Sequence, residues 1–468
     1  MKNTYDLIVI GGGAGAFAAA IKANELGAKT ALINDGLPLG GTCVNVGCVP
    51  SKILLHAAEL VHTATHHNVP GIELSVNKTN YSEVVAAELA LVKKLQDEKY
   101  EQVLKELDNV THIKGRAAFV SPNQIKVGEQ RLEAKKFIIA VGSTSIVPDV
   151  EGLKEAGYIT HIEAMSLKTV PKRLAVIGAG PVGLELSQLY SRFGSQVTIL
   201  QRATSIMPSA ELELTERLQQ IMQNEGIHIK TSVQVTKVTN QNDTKTVFYS
   251  DQKGEYSVEV DEILLAAGKA PNTIELNLTA AGVTVNDKQS IVTQTTLQTA
   301  QPHIYAVGDV TNLPLRLETT AGKEGTYAVE NALNDLSKSI DYNSVPWTVF
   351  TDPQLASVGY TEDQQMEELK TCACRTVTFD KLPKALITNR TEGVIKIAIH
   401  PETNVIMGVH ILAPNAGDLI AQAMVLIKNK NTIDDVENML PVFPTLSEAI
   451  KLAAMSFTRD ISKMSCCV

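Results

Sequence analysis

A chain of 468 residues exceeds the length at which one hydrophobic core keeps growing, so two to four domains are expected. With 44% hydrophobic and 20% charged residues the composition is that of a globular protein. A formal net charge of -9, with no Lys/Arg block, argues against nucleic acid or an anionic membrane as the main partner.

The amino terminus, Lys2 and then an apolar run from Leu7 to Ala20, superficially resembles a secretory signal. Asp6 and three consecutive glycines fit that reading poorly, and the same pattern recurs deep inside the chain, so the run is read as structure. No uninterrupted apolar stretch of transmembrane length is read elsewhere, and the expected location is cytoplasmic.

In chain order, the first element is a strand-length run ending at Gly11-x-Gly13-x-x-Ala16, followed by an alanine-rich helical stretch. Glycines between a strand and a helix permit a tight turn and bring a pyrophosphate to the helix amino terminus, which predicts a bound dinucleotide. The next strand ends at Asn34 and Asp35, where a ribose-binding glutamate is usual. GGTCVNVGCVPSK then spans Gly40 to Lys52. Residues i and i+5 of a regular helix are offset by about 140°, so a bond between Cys43 and Cys48 needs a distorted turn, which Gly47 permits. Such a bond is strained and reducible, and it is read as a redox pair rather than a passive staple.

The strand-glycine-helix unit returns with Gly178, Gly180 and Gly183, so a second dinucleotide is expected. Its second strand ends in Gln201 and Arg202 with no acid to repel a 2′-phosphate; Arg202 is read as a phosphate contact rather than a solvated turn residue, which favours NADPH. Segments ending at Gly268 and near Asp309 read as strands closing in glycine turns. After about residue 345 alternating strands followed by helices predict a third, α+β domain. Cys372 and Cys374 fall on one face of a strand, an arrangement that permits a metal pair but is read as ordinary surface or interface thiols. Thr445-Leu-Ser-Glu448 reads as a capping box opening the last helix.

GGTCVNVGCVPSK, both glycine fingerprints, the GKAPN and VGD segments and the terminal domain together resemble the pyridine nucleotide-disulfide oxidoreductases over essentially the whole chain. The resemblance implies two Rossmann-like α/β domains followed by an α+β dimerisation domain: an FAD domain at 1–148 and 272–345, an NAD(P)H domain at 149–271 and a dimerisation domain at 346–468. It implies a homodimer whose active site is shared between subunits. Cys48 then resembles the thiol facing the flavin and Cys43 the interchange thiol that meets substrate. Lys52 resembles the lysine near the flavin, paired with Glu185, and Asp309 the aspartate that binds the ribityl chain. Gly15, Gly41, Thr42, Ala118, Gly268 and Leu317 complete the implied cofactor contacts.

One departure narrows the expected substrate. In the glutathione- and dihydrolipoamide-dependent members a histidine precedes the Pro-Thr near the carboxyl terminus and moves protons; here Phe443 stands there, and all ten histidines lie at or before His410. Glu448, retained from that dyad, is read as structural. The chain ends SKMSCCV, and Cys466 and Cys467 offer neighbouring thiols suited to a soft metal. Such a tail resembles the mercuric reductase branch, which implies Hg(II) as substrate, delivered by Cys466 and Cys467 of one subunit to Cys43 and Cys48 of the other. That branch often carries tyrosine where Phe443 stands. A thiol-disulfide reductase with an unusual substrate and a metal-sequestering flavoprotein without turnover are the alternatives.

Overall fold

The computed structural model describes residues 4–67 and 69–465. The chain opens with β1 (Thr4–Ile10), whose Leu7, Ile8 and Val9 are fully buried. A continuous apolar run suits a strand covered on both faces, and β1 indeed lies in mid-sheet. It pairs in parallel with β2 (Thr30–Asn34) on one side, Leu7 opposite Thr30, and with the later strand Gln130–Ile139 on the other. Val110–Lys114 extends the sheet beyond β2, two antiparallel strands at 117–127 extend it the other way, and Ile304–Ala306 returns from far along the chain to lie beside Gln130–Ile139. After β1 comes α1 (Ala14–Glu25); after β2 come α2 (Gly41–Val46), α3 (Cys48–His66) and α4 (Tyr81–Gln96).

The second unit repeats the theme. Strands Arg173–Ile177, Gln196–Leu200, His228–Lys230 and Glu262–Leu265 form a parallel sheet, joined by a three-stranded antiparallel meander at 234–260. Its first helix, α5 (Pro181–Arg192), is buried continuously from Gly183 to Tyr190, because it is wedged between its own sheet and α3 rather than facing water. The chain enters and leaves this unit through one short antiparallel pair, Ser143–Ser145 with Lys269–Pro271.

The chain then returns to the first unit, where α6 (Glu318–Asn334) packs on α1 and buries Ala328, Val329 and Ala332 with Leu7 and Val9; the third unit follows it. That unit holds a five-stranded antiparallel sheet in the spatial order Trp347–Val349, Gln354–Gly359, Ile406–Ala413, Val394–Ile399, Ala373–Thr378. Ile395, Ile397, Val409 and Ile411 form its core with α8 (Glu448–Met455), while α7 (Glu362–Leu369) covers the Ala373–Thr378 edge. An ion network ties this unit to α5. Arg192, almost fully buried, reaches Glu225 at 2.9 Å and Asp352 at 3.1 Å, and Asp352 also pairs with Arg390.

Helices α2 and α3 together make a long apolar stretch, residues 41–66. They break at Gly47, however, and Leu54 and Ala58 are buried in the protein core against α5.

Candidate active site

Gly11 and Gly178 close the two first strands with φ of +133° and +106°. A Cβ on Gly11 would stand 2.1 Å from the Ala140 carbonyl oxygen, so only glycine fits that turn. The helices that follow, α1 from Gly13 and α5 from Gly180 with Pro181 at its first position, begin with no side-chain cap and no acidic residue in the first turn. Their amino-terminal N–H groups and positive dipole ends are therefore left for an anion. In the first module a Cβ on Gly41 would lie 2.5 Å from Gly13 Cα, so the loop carrying the cysteines is pressed onto the phosphate-binding turn. This cradle fits the diphosphate of FAD, with Gly15 and Ala16 in the first turn of α1 and Thr42 exposed beside Gly41. The second fits NADPH.

The redox segment is broken as its glycine suggests. Gly47, at φ -134° and ψ -110°, ends α2 and starts α3, which puts Cys43 on one helix and Cys48 at the head of the next. Both are free thiols in mutual hydrogen-bond contact. The S–H of Cys43 and the Lys52 ammonium hold the Cys48 thiol down to about 7, while contact with Cys48, then burial, pushes Cys43 well above the ordinary thiol value. Position at the head of a 19-residue helix favours the same thiolate. One thiolate and one thiol side by side form an asymmetric nucleophile pair, the arrangement that dithiol exchange and soft-metal ligation both need.

Lys52 extends from α3 to Glu185 on α5, Nζ to Oε2 at 2.7 Å, and stands 4.5 Å from the centre of the Phe350 ring. The other Glu185 oxygen accepts the Phe350 N–H at 2.8 Å. Three units of the chain therefore meet at one carboxylate, only 8% exposed in its side chain. Phe350 carried no motif and was not singled out by sequence.

The remaining residues expected at the cofactors spread along the two modules. Asp309 accepts a hydrogen bond from Ser143 at 2.7 Å, and Gly308 N–H donates to the buried Glu324, which fixes the turn beneath it. Leu317 opens α6, Ala118 lies in the strand Ala117–Ser121, and Gly268 sits at φ +109° beside the interdomain strand pair. Asn34 donates to the Leu37 carbonyl and packs against Gly12, whereas Asp35 pairs with Arg116. In the second module Gln201 is consumed locally, accepting from Ala179 N–H and donating to Ser205 O, which leaves Arg202 exposed at the strand end.

Near the carboxyl terminus, Phe443 is 49% exposed in a loop with Leu440 and Val442. The capping box forms only in half: Glu448 accepts the Thr445 N–H at 2.7 Å, but the Thr445 hydroxyl turns to Val442 O and Ser447, and α8 starts at Glu448 itself. The helix begins later than predicted because the Thr445 side chain closes the preceding turn instead. Cys466 and Cys467 lie outside the described residues. Cys372 and Cys374 are half-buried rather than simple surface thiols; burial, then Glu362, raises Cys372, and burial drives Cys374 to about 12, the reverse of Cys48.

Comparison with known proteins settles the family. Residues 5–332 match the pyridine nucleotide-disulphide oxidoreductase family and residues 345–454 its dimerisation domain. The chain belongs to that family. Its cofactors are FAD and NADPH. Among curated relatives it is similar to the mercuric reductases of Lysinibacillus sphaericus (37% identity, covering 100% of this chain and 85% of the relative), Staphylococcus aureus (38%, 99% and 84%) and Streptomyces lividans (36%, 99% and 98%). Among solved structures it resembles the HOCl-induced flavoprotein disulfide reductase RclA of Escherichia coli, with a TM-score of 0.86 at 25% identity, covering 97% of this chain and 100% of that one.

Proposed function

We propose that the protein is a homodimeric mercuric ion reductase that converts Hg(II) to Hg(0) with NADPH, working in the cytoplasm. The observation that carries this reading is the pairing of a thiol-thiolate couple at Cys43 and Cys48 with Phe443 at the position of the family's proton-carrying histidine. Reduction of an organic disulfide must deliver a proton to a leaving thiolate, and phenylalanine delivers none. A metal ion held by two thiolates takes up two electrons and needs no acid. Similarity to three mercuric reductases over essentially the whole of this chain supports the same substrate.

The Gly11 turn and Asp309 would hold FAD, which when bound would supply the two-electron relay between NADPH and the cysteines. The chain's own residues set the conditions for it. Lys52, fixed by Glu185 and the Phe350 ring, places a positive charge where it favours the Cys48 thiolate. Arg202 offers a cation for the NADPH 2′-phosphate. Hg(II) is collected by Cys466 and Cys467 of one subunit, passes to Cys43 and Cys48 of the other, and the balance is NADPH and Hg(II) going to NADP+, a proton and Hg(0).

A second reading, a flavoprotein disulfide reductase, is supported by the likeness to RclA. One assay separates the two: NADPH oxidation with Hg(II) in excess small thiol, with volatile Hg(0) followed, in the parent and in Cys466→Ala/Cys467→Ala. Turnover that releases Hg(0) and is impaired by the tail substitutions is expected. NADPH oxidation with an organic disulfide, and none with Hg(II), would replace the substrate while leaving the flavin-disulfide engine intact.

A further inference from the structure

Away from the flavin modules, at the edge of the five-stranded sheet, three soft or anionic side chains converge. The ligand atoms of Glu362, Cys372 and Cys374 all lie within 4.8 Å of one another. Cys372 and Cys374 share a face because they stand two residues apart in extended chain, and Glu362 comes down onto that face from the first turn of α7. Cys372 Sγ is 3.3 Å from Glu362 Oε1.

A redox role for this pair is geometrically poor. Residues two apart in a strand are separated by about 6.6 Å, at the far end of the Cα range that a disulfide spans. Ligation asks for less. A tetrahedral zinc-like ion with sulfur at about 2.3 Å needs its sulfurs roughly 3.8 Å apart, a spacing compatible with the 4.8 Å within which all three ligand atoms lie. The support around the three ligands is already in place. Gln365, fully buried, accepts from Ala373 N–H at 3.2 Å and from Cys374 Sγ at 3.8 Å, and donates to Ile399 O at 2.7 Å, so helix and strand are locked in register. The bonds to Ala373 and Ile399 fix the backbone that carries both thiols, whereas the Cys374 S–H contact is given up when that thiol loses its proton to bind metal. Lys396 holds the second Glu362 oxygen, which leaves the first for the thiol side.

An acidic pocket shares Glu362 with the cluster. This pocket of about 310 Å³ is lined by Glu211, Glu213, Glu216, Glu362, Asp363 and Lys396 among others, five carboxylates against one ammonium. Lys396 pairs with Glu211, Glu213 and Glu362, the lining stays net negative, and Glu362 belongs to both pocket and cluster.

We propose that Glu362, Cys372 and Cys374 form a second metal site, for a soft divalent cation of the Zn(II) or Cd(II) kind, that clamps α7 to the sheet edge independently of Cys43 and Cys48. Binding replaces two thiol protons by one metal ion, with two sulfurs and one carboxylate oxygen as protein ligands and no change of oxidation state. The site does not depend on the identity of the reduced substrate.

The test uses flavin-loaded protein carrying Cys43→Ser, Cys48→Ser, Cys466→Ser and Cys467→Ser, in which Cys372 and Cys374 are the only thiols left of six. Titration with Cd(II) is expected to give one ion per chain with a thiolate-to-metal ultraviolet absorption. Adding Cys372→Ser and Cys374→Ser removes both signals, and Glu362→Gln weakens binding at least about tenfold. Maleimide labelling of the two thiols, read by mass spectrometry, should slow when Cd(II) or Zn(II) is present, and this holds as a test even if the serine variants fold poorly. Cd(II) uptake that survives loss of both cysteines, or equal labelling with and without metal, overturns the proposal.

Discussion

Cys43 and Cys48 touch each other and Lys52 stands nearby, yet the two thiols move in opposite directions, since the proton they share stays on Cys43 and the positive charge lies nearer Cys48. Removing that charge should cost the thiolate. In Lys52→Gln the half-maximal pH for iodoacetamide alkylation of Cys48 in NADPH-reduced enzyme is expected to rise by about 1 unit, with each cysteine read separately by mass spectrometry. An unchanged profile would show that the Lys52 charge is spent entirely on Glu185. A second residue titrates without doing chemistry. Glu88 on α4 is 1% exposed, neither carboxylate oxygen has a hydrogen-bond partner among the described residues, and burial raises it to about 7. The unfolded chain ionises this group near the ordinary value of 4.5, so between that pH and about 7 the folded state binds the extra proton. Stability from this group is therefore full below about 4.5 and is lost as pH climbs through 7. Glu88→Met should raise the unfolding free energy by about 1–3 kcal/mol at pH 8 and by less at pH 5, as measured by denaturant titration at both values. A gain independent of pH would place the effect in packing instead.

Among the elements, the cysteine loop pressed onto the first glycine turn is the contact on which FAD retention turns. Gly41→Ala sets a Cβ 2.5 Å from Gly13 Cα at a φ of +60°, so the two loops must separate. Flavin is expected to be lost on gel filtration. Gly27→Ala is the control: its φ is +71° but nothing lies within 4 Å of the new Cβ, so it should cost about 1 kcal/mol of backbone strain and keep its flavin. Retention of flavin by both variants would remove the loop contact from the FAD site. These elements were legible in the sequence because their signals are local: a strand, Gly11, then a helix in one module, Gly178 in the other, and Gly47 between two cysteines. What was not legible came from distance. Nothing in the sequence places Phe350 over Lys52 or Asp352 between Arg192 and Arg390, because these are encounters between segments far apart in the chain; Glu362 and Cys372 are only ten residues apart, but how α7 folds back onto the sheet edge is likewise set by packing. The displaced start of α8 is a different failure. Thr445 had two local partners to choose from, and a capping motif does not say which wins.

For the whole molecule, subunit pairing and the carboxyl-terminal thiols belong to one argument. Leu440 and Val442 are 92% and 73% exposed beside the half-exposed Phe443, within the region that matches the family's dimerisation domain. An apolar loop of this kind is unfavourable in water and is suited to burial against a second copy. If the tail thiols serve the partner's Cys43 and Cys48, neither defect can be rescued within one chain, but each can be rescued between chains. Two defective proteins, the impaired Cys466→Ala/Cys467→Ala and the redox-dead Cys43→Ala/Cys48→Ala, are therefore expected to regain Hg(II)-dependent NADPH oxidation when unfolded and refolded together. Random pairing makes half of the dimers mixed, and each mixed dimer holds one redox pair facing one intact tail, so recovery should approach about a quarter of the parent rate. Leu440→Glu/Val442→Glu, introduced into both chains, should abolish the recovery while each chain keeps its flavin. Recovery that persists without dimers would mean that metal reaches Cys43 and Cys48 through solution, and absence of recovery in proven mixed dimers would confine delivery to a single chain.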